Sequence, residues 1–293
     1  MRIILLGKYG QLGWELHRSL LPLGSVYAYD QPKFDLRNPV RLRPILKQHR
    51  PDIIINATAY TAVDAAESYP ELAFAINRDG IGFLAEEAHR LQSALIHFST
   101  DYIFDGQKGR PYTENDHPNP LGVYGESKLA GERVIQAIGS AYLILRTSWV
   151  YSLRIESFVT KVLKWSRHHN NLRIVSDQIS NPTWARVLAE ATAQVIAKAD
   201  HNTFDWIKEH QGVYHLAGNG HTSRYDWAKA IIKHDPKKEE QKITTIQPAQ
   251  TSDFPTPASR PLYSALNCDL FNDTFRIALP PWQEALRLAL EKS

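Results

Sequence analysis

A tyrosine and a lysine four residues apart, Tyr124 and Lys128, are the side chains in this sequence best suited to carry out chemistry. On a helix this spacing places both side chains on one face. An isolated tyrosine ionises near pH 10, and a neighbouring ammonium would lower its pKa. Such a tyrosine can protonate a ketone oxygen while hydride reaches the carbon. The Lys128 ammonium could also hold a nicotinamide ribose.

A threonine at the end of a predicted strand adds a third polar group. Thr100 follows the apolar run 94–98, and ligands bind at the carboxyl ends of strands in doubly wound sheets. Its hydroxyl can polarise the same carbonyl. Tyr-x-x-x-Lys is common on surface helices, and a threonine at a strand end usually makes only a local hydrogen bond. The three residues in this order are much more specific than any one alone.

Three regularly spaced glycines near the N-terminus predict a dinucleotide-binding turn. Gly7, Gly10 and Gly13 follow the apolar run 3–6 and precede a helical pattern. Glycine allows a tight turn and a close backbone approach, and amides at a helix N-terminus bind a pyrophosphate. The alternative is an ordinary glycine-rich turn, but the strand before it and the helix after it favour the nucleotide.

Charged residues near the second predicted strand bear on the choice of cofactor. Asp30 lies close to the position of an acid that accepts the ribose 2′-hydroxyl of NAD and repels the 2′-phosphate of NADP. A turn aspartate is nearly as good an interpretation. Asp35 and Leu36 are placed to lie beside the adenine. Arg2 and Lys8 are the candidate cations for NADP, so NADH and NADPH both stay open.

The elements that must position these residues alternate between strand and helix in the first half of the chain. This pattern predicts βαβ units with right-handed crossovers, hence an α/β fold with a Rossmann-like doubly wound parallel sheet. We assign residues 1–150 to an NAD(P)-binding domain and 151–293 mainly to a smaller C-terminal substrate-binding lobe, with some elements returning to the sheet. The predicted strands are 3–6, 26–29, 53–55, 94–98, 142–146, 172–175 and 213–216; the predicted helices are 14–23, 70–91, 122–138, 182–199, 223–233 and 282–291; 105–120 is predicted as loop and 248–261 as mostly irregular.

Composition excludes several classes of protein. The 293 residues are 43% hydrophobic and 22% charged, which is typical of a globular protein and not of a disordered one. The lone Cys268 excludes an intramolecular disulfide and argues against a cysteine-based metal site. A net charge of +3 is too small for a nucleic-acid footprint, and no apolar run approaches the roughly 20 residues that span a bilayer. We therefore expect a cytoplasmic protein without nucleic-acid or membrane partners.

Seven segments spread over nearly the whole chain match the pattern of one family. They are residues 7–13, 56–64, 99–106, 124–132, 146–151, 181–185 and 260–264, of which the last four are the most specific. Through these segments the sequence resembles the dTDP-4-dehydrorhamnose reductase family of the extended short-chain dehydrogenase/reductase superfamily. The resemblance implies NADPH- or NADH-dependent reduction of the 4-keto group of dTDP-6-deoxy-L-lyxo-4-hexulose, which gives dTDP-L-rhamnose.

The resemblance also implies a role for individual residues. Thr100, Tyr124 and Lys128 become the catalytic residues, and Tyr124 and Lys128 also become contacts of the cofactor. A tryptophan face suits the C–H groups of a pyranose, although core packing at a strand end is the alternative for that residue. The other implied contacts are Gly7, Gly10, Gln11 and Leu12 with the pyrophosphate, Ala57, Thr58 and Ala59 with adenosine and ribose, Val63, Tyr102 and Trp149 with the sugar, and Arg260 with the nucleotide diphosphate.

One loop departs from the sequence pattern of the family. Where the family has Gly-x-x-Gly-x-Asn-Phe, residues 152–158 read Ser-Leu-Arg-Ile-Glu-Ser-Phe, which leaves the exact sugar open.

Some relatives dimerise through Mg²⁺ bridged by glutamates, and Glu15, Glu190 and Glu291 lie near matching positions. Three solvated helix glutamates are the alternative, so a monomer and a homodimer both stay open.

Two further classes of function also stay open. The first is another nucleotide-sugar enzyme on this fold, a reductase of a different sugar, a 4-epimerase or a 4,6-dehydratase. Dehydratases typically carry glutamate where Tyr102 stands here. The second is a non-catalytic regulatory subunit resembling the β subunit of methionine adenosyltransferase, against which the complete set of Thr100, Tyr124 and Lys128 weighs.

Overall fold

A six-stranded sheet forms the centre of the molecule. The computed structural model describes residues 1–199 and 202–291. The strands are β1 (Arg2–Leu6), β2 (Ser25–Tyr29), β3 (Ile53–Asn56), β4 (Ala94–Thr100), β5 (Tyr142–Thr147), β6 (Val150–Tyr151), β7 (Asn171–Val175), β8 (Ile179–Ser180), β9 (Thr183–Trp184), β10 (Gly212–His215), β11 (Thr222–Ser223) and β12 (Thr245–Ala249). The order across the central sheet is β10–β5–β4–β3–β1–β2, and every neighbouring pair is parallel.

Helices cover both faces of this sheet, which is why its strands read as continuous apolar runs. The helices are α1 (Gln11–Leu20), α2 (Leu42–His49), α3 (Val63–Ser68), α4 (Pro70–Phe74), α5 (Gly80–Leu91), α6 (Val123–Ile138), α7 (Phe158–His168), α8 (Ala185–Lys198), α9 (Thr203–Glu209), α10 (Arg224–Lys233), α11 (Asp269–Phe275) and α12 (Trp282–Leu290), and a π-helical turn, Ala75–Asp79, joins α4 to α5. Helices α1, α8, α9 and α11 pack on one face, and α2, α5 and α6 on the other. The doubly wound fold predicted from the alternation is confirmed.

A smaller core lies beside the sheet. Helices α7, α10 and α12 pack around strand β7, with Trp227 and Tyr151 among its buried side chains. Strand β7 pairs with β12, while β10 joins the central sheet beside β5. Among the described helices, none combines the length and apolar character needed to cross a bilayer.

Most predicted elements are present within a few residues of their expected bounds, and 248–261 is mostly irregular as predicted. Residues 248 and 249 belong to β12, not to an irregular segment, because Pro248 lies on a strand at the edge of a sheet, where its missing N–H costs nothing. Helix α7 was not predicted, although Ser157 caps it by accepting from the Thr160 N–H. That Ser-x-x-Thr pattern was the available signal for its start.

The order of the strands places the site. The chain leaves β1 for β2 on one side and then returns to β3 on the other side of β1. In open α/β sheets, ligands bind at the carboxyl ends of the strands beside such a reversal. The carboxyl ends of β1, β3, β4 and β5 therefore define the edge at which a ligand is expected.

The turn after β1 depends on a close approach between two glycines. A Cβ atom placed on Gly13 would lie 1.8 Å from the carbonyl oxygen of Gly7, whereas one placed on Gly10 would lie 3.4 Å from the same atom. Gly7 itself has a φ of 91°, in the left-handed region that favours glycine. Only Gly13 is thus required to lack a side chain by direct contact with the turn.

We predict that Gly13→Ala destabilises the protein and that Gly10→Ala does not. Forcing a methyl group against the Gly7 carbonyl should lower the free energy of unfolding by about 1–3 kcal/mol. Chemical denaturation of both variants and the wild type measures this. Equal stability of all three proteins, or a larger loss in Gly10→Ala, would contradict the close approach.

Candidate active site

A cavity of about 650 Å³ opens at the carboxyl edge of the central sheet. It collects residues from the ends of β1, β3, β4 and β5 and from the first turns of α6. Of the residues predicted to be catalytic or to bind cofactor or substrate, Arg2, Lys8 and Arg260 lie outside its wall. The predicted residues in the wall are Gly7, Gly10, Gln11, Leu12, Asp30, Asp35, Leu36, Ala57, Thr58, Ala59, Val63, Thr100, Tyr102, Tyr124, Lys128 and Trp149.

Asp30 is fixed at the end of the cavity beside the glycine turn. Its carboxylate accepts from the backbone N–H of Tyr9 at 2.9 Å and from that of Gln31 at 2.8 Å. The candidate cations are elsewhere: Arg2 pairs with Asp52 at 2.7 Å, and the Lys8 ammonium lies over the Tyr9 ring. Neither belongs to the cavity wall, which instead contains Asp30 and Asp35, and Arg37 pairs with Asp35 at 2.7 Å.

Three buried polar atoms of the cavity residues have no hydrogen-bond partner within residues 1–199 and 202–291. They are Gln11 Oε1, Ser99 Oγ and Thr147 Oγ1. Buried polar groups are usually paired, so such atoms mark a place where a polar ligand fits. Together with the glycine turn, they make the cavity suited to a dinucleotide.

Helix α6 presents Tyr124 and Lys128 to the cavity because it packs closely against the segment after β4. A Cβ on Gly125 would lie 2.2 Å from the Tyr102 carbonyl oxygen, so only glycine permits this contact. Beside it, Ser127 accepts from the Asn77 amide at 3.0 Å, which ties α6 to the π-helical turn. Both predicted side chains therefore reach one cavity, as their spacing indicates.

The ionisation of Tyr124 differs from the expectation. Burial raises the pKa of Tyr124, and the facing Thr100 hydroxyl offsets this only in part. A neighbouring ammonium was expected to lower that pKa, but Lys128 Nζ instead donates to the Phe98 carbonyl at 2.7 Å and lies 3.1 Å from His97 Nε2. Tyr124 is consequently a protonated phenol at neutral pH.

The side chain of Lys128 is buried away from solvent. Its residue is only 2% exposed, and burial lowers the pKa of its amine to about 8. The Glu132 carboxylate acts in the opposite direction, but it is held by Arg146 at 2.7 Å. The amine is therefore able to change its charge close to neutral pH.

Asp101 follows Thr100 and is also buried. Its carboxylate accepts from the Ser180 hydroxyl at 3.0 Å and from the Ser264 hydroxyl at 2.5 Å. Burial raises the pKa of Asp101 to about 6, and these hydroxyls offset that rise only partly. Thr100 Oγ1 meanwhile accepts from the Tyr102 N–H at 3.2 Å, which fixes the threonine side chain at the cavity wall.

Trp149 lies opposite the catalytic candidates in a strained backbone conformation. Its φ is 40°, in a region that bulky residues rarely adopt and that costs on the order of 1–3 kcal/mol. Its ring lies 3.7 Å from the Arg224 guanidinium and stacks on Trp227 at 5.5 Å between centroids. The packing therefore holds the indole in the cavity wall.

Arg224 is a candidate ligand-binding residue that the sequence analysis did not predict. It begins α10, and burial lowers the pKa of its guanidinium to about 10. Arg224 and Arg260 share a second groove of about 340 Å³, and the Tyr102 side chain lies near both guanidinium groups. Arg260 is held by Asp64 at 2.7 Å. No spacing in the sequence connects Arg224 with Trp149, so only the fold reveals it.

The atypical loop 152–157 lies beside the cofactor end of the cavity. Ile155 belongs to the cavity wall, and the Arg154 guanidinium lies 3.3 Å from the centre of the Trp14 ring on α1. This loop therefore contacts the helix that the glycine turn begins.

The described residues of a single chain do not support the predicted magnesium site at a dimer interface. Within residues 1–199 and 202–291, no group of three or more histidine, cysteine, aspartate or glutamate side chains is placed to hold a metal ion. Glu15 and Glu190 line one groove, but Glu15 is paired with Arg18 at 3.0 Å, and Glu291 pairs with Arg287 on α12. The three carboxylates thus do not form one oxygen-ligand set.

Together, the fold and the site define an extended short-chain dehydrogenase/reductase. The dinucleotide turn after β1, the threonine after β4 and the tyrosine–lysine pair on α6 meet at one edge of a doubly wound sheet. Comparison with known proteins specifies the family.

The chain belongs to the family described as the RmlD substrate binding domain, whose pattern matches residues 1–293. It is 39% identical to a dTDP-4-dehydrorhamnose reductase of Escherichia coli K12, over 100% of this chain and 98% of that protein. A crystal structure of such a reductase from Clostridium acetobutylicum superposes with a TM-score of 0.90 at 32% identity, covering 99% of this chain and 98% of the other. A Bacillus anthracis reductase in complex with NADP gives 0.86 at 31% identity, covering 98% and 97%.

The raised pKa of Asp101 predicts a pH-dependent gain in stability for Asp101→Asn. The folded carboxyl titrates at about 6 and an unfolded one at about 3.9, so the native state loses stability as pH rises between these values and does not regain it above them. An amide carries no such charge. We expect the melting temperature of Asp101→Asn relative to wild type to be higher at about pH 7.5 than at about pH 4.5.

Thermal unfolding at the two pH values measures this difference. Asp273→Asn, at an exposed aspartate, serves as the control and should show no comparable pH dependence. A constant difference for Asp101→Asn would mean that the buried carboxyl does not oppose folding.

Proposed function

We propose that this protein reduces the 4-keto group of dTDP-6-deoxy-L-lyxo-4-hexulose to give dTDP-L-rhamnose, with NADPH or NADH as the hydride donor. The observation that carries the proposal is the meeting of Thr100, Tyr124 and Lys128 with the glycine turn in one cavity. The similarity to reductases over the full chain supports the substrate.

The residues of the cavity fit a nicotinamide dinucleotide. The amides of the turn from Gly7 to Leu12 would bind its pyrophosphate, and Ala57, Thr58 and Ala59 would border its adenosine. Lys128 would bind the nicotinamide ribose. When bound, the cofactor supplies hydride to the substrate carbonyl carbon.

The protein's own part in the reaction is to supply a proton and a hydrogen bond. Tyr124 Oη donates its proton to the carbonyl oxygen, which gains negative charge as the carbon is reduced. Because burial raises the pKa of Tyr124, this proton is present at neutral pH. The Thr100 hydroxyl donates a second hydrogen bond to the same oxygen and so stabilises the developing charge.

The second groove fits the nucleoside diphosphate of the substrate. Arg224 and Arg260 supply guanidinium groups that match phosphate oxygens, and Phe158, Trp165 and Phe254 supply aromatic faces for a base. Tyr102 belongs to the main cavity and lies near both arginines, so the sugar would lie between Tyr102, Val63 and Trp149. In this proposal, residues 1–150 bind the dinucleotide and 151–293 supply mainly the sugar-nucleotide side.

Replacement of Tyr124 by phenylalanine tests the function directly. With enzymatically generated dTDP-4-keto sugar, wild type should oxidise NADPH or NADH, followed by absorbance, and the variant should lose about 10²–10⁴-fold in kcat. Cofactor binding should stay unchanged, since the phenol is not its anchor. Tyr142→Phe, at the opposite end of the sheet, is the control and should keep full activity.

Two outcomes would overturn the proposal. Wild-type turnover by Tyr124→Phe would exclude this tyrosine as the acid. Conversion of the sugar by wild type without net consumption of cofactor would instead indicate an epimerase.

Asp30 predicts how the protein chooses between the two cofactors. Its carboxylate, fixed by two backbone N–H groups, would repel a 2′-phosphate. We expect Asp30→Ala to increase the affinity for NADPH relative to NADH by about tenfold, measured by fluorescence titration. Asp52→Ala, which removes a carboxylate paired with Arg2 away from the cavity, should leave the ratio unchanged. An unaltered ratio in Asp30→Ala would place the 2′-position elsewhere.

A further inference from the structure

His97 is a fully buried histidine to which the proposed reaction gives no role. It lies on β4 between Asn56, at the end of β3, and Lys128 on α6. Burial holds the pKa of His97 well below its usual range, so the ring is neutral at physiological pH. A neutral imidazole has one N–H and one acceptor nitrogen, and its partners decide which is which.

The backbone of Thr58 fixes the amide of Asn56. The Thr58 N–H and hydroxyl donate to Asn56 Oδ1 at 3.2 and 2.6 Å, so this atom is the oxygen. Asn56 Nδ2 donates to the Thr58 carbonyl at 3.3 Å and lies 3.0 Å from His97 Nδ1. Since Nδ2 is a donor only, Nδ1 accepts, and the single proton of the ring is on Nε2.

That proton points at the amine of Lys128. His97 Nε2 lies 3.1 Å from Lys128 Nζ, and Nζ also donates to the Phe98 carbonyl at 2.7 Å. An ammonium has three donors and no lone pair, so it would face the Nε2–H with a second donor. An uncharged amine satisfies both contacts, because its lone pair accepts from His97 while one of its hydrogens reaches Phe98.

The other ionisable groups around Lys128 do not reverse this preference. The Glu132 carboxylate favours the ammonium, but it is shared with Arg146 on β5 through contacts of 2.7 and 3.0 Å. Asp101, beyond β4, is engaged by two serine hydroxyls, and Tyr124 is a neutral phenol.

We propose that His97 is a positioning residue for Lys128: held as the Nε2–H tautomer by Asn56, it donates a hydrogen bond to the uncharged Lys128 amine at the end of β4 and so opposes the protonation of that amine. The inference rests on the proposed function, in which Lys128 binds the nicotinamide ribose. It adds that this lysine gains or loses its charge within the working pH range, rather than remaining an ammonium throughout.

The tautomer of His97 in the wild-type protein is the first test. Nitrogen-15 NMR of histidine-labelled protein distinguishes the two neutral tautomers, and the His97 signals are those absent from His97→Gln. We expect a neutral ring protonated on Nε2 from about pH 6 to about pH 9. A proton on Nδ1, or an imidazolium in this range, would overturn the proposal. If His97→Gln does not fold, signals can be assigned through their coupling to the backbone of β4, so this test still decides.

The titration of Lys128 is the second test. In His97→Gln the side-chain oxygen can accept from an ammonium, so the Lys128 midpoint should rise by about one pH unit. The carbon-13 signal of Lys128 Cε, assigned by its loss in Lys128→Met, reports this midpoint. His210→Gln, whose ring contacts the Trp206 carbonyl on α9, is the control and should leave it unchanged. An unchanged or lower midpoint in His97→Gln would refute the role of His97.

These experiments distinguish a failure of the proposed reductase function from a failure of the proposed role of His97. Both NMR measurements are made without substrate, so a wild type that does not reduce the keto sugar would reject the proposed function and leave the result for His97 intact. If turnover is present, the limb of the kcat/KM pH profile that reports Lys128 should shift in His97→Gln by the same amount as the NMR midpoint. Turnover with an unshifted midpoint would reject only the role of His97.

Discussion

A buried ion pair between Glu132 and Arg146 holds helix α6 against the central sheet, and the geometry of the site depends on it. The two side chains are 1% and 6% exposed in their side-chain atoms, and the carboxylate accepts from two guanidinium nitrogens. Breaking a buried pair by removing one partner typically costs about 3–5 kcal/mol, because the other charge is left without compensation. The pair lies one turn beyond Lys128, so the contact that fixes α6 also places Tyr124 and Lys128 over the end of β4.

Burial also determines how the side chains at the carboxyl edge of the central sheet ionise. Burial moves the pKa of Lys128 down and those of Asp101 and Tyr124 up, so each group favours its neutral form. A phenol that keeps its proton is suited to deliver it to an alkoxide formed beside it. The sequence suggested the opposite arrangement, a phenolate stabilised by an ammonium, because spacing on a helix shows which side chains share a face but not which partners each one takes.

Local sequence patterns correctly predicted those strands and turns whose residues are selected directly by their own burial or backbone geometry. The apolar runs of β1 and β3 and the glycines after β1 are such patterns, since burial and close approach act on those residues directly. The ends of these elements therefore located most of the cavity wall. What escaped prediction are contacts between distant segments: Arg224 against Trp149, and His97 between Asn56 and Lys128. No periodicity encodes such pairs, because they arise only when β3, β4 and α6, or β5 and α10, come together.

The strained backbone of Trp149 shows how the main cavity and the second groove are joined. A bulky residue remains at positive φ only where its surroundings over-determine it, and here Arg224 and Trp227 hold the indole in place. The Tyr102 side chain lies near the same Arg224 and belongs to the segment that follows Thr100. The aromatic wall opposite Tyr124 and the guanidinium groups of the second groove are therefore parts of one packed cluster. A change at Arg224 would alter the packing of Trp149 in the cavity wall and the surroundings of Tyr102 beside Thr100, so under the proposed function substrate recognition and the reacting end of the site are coupled through packing.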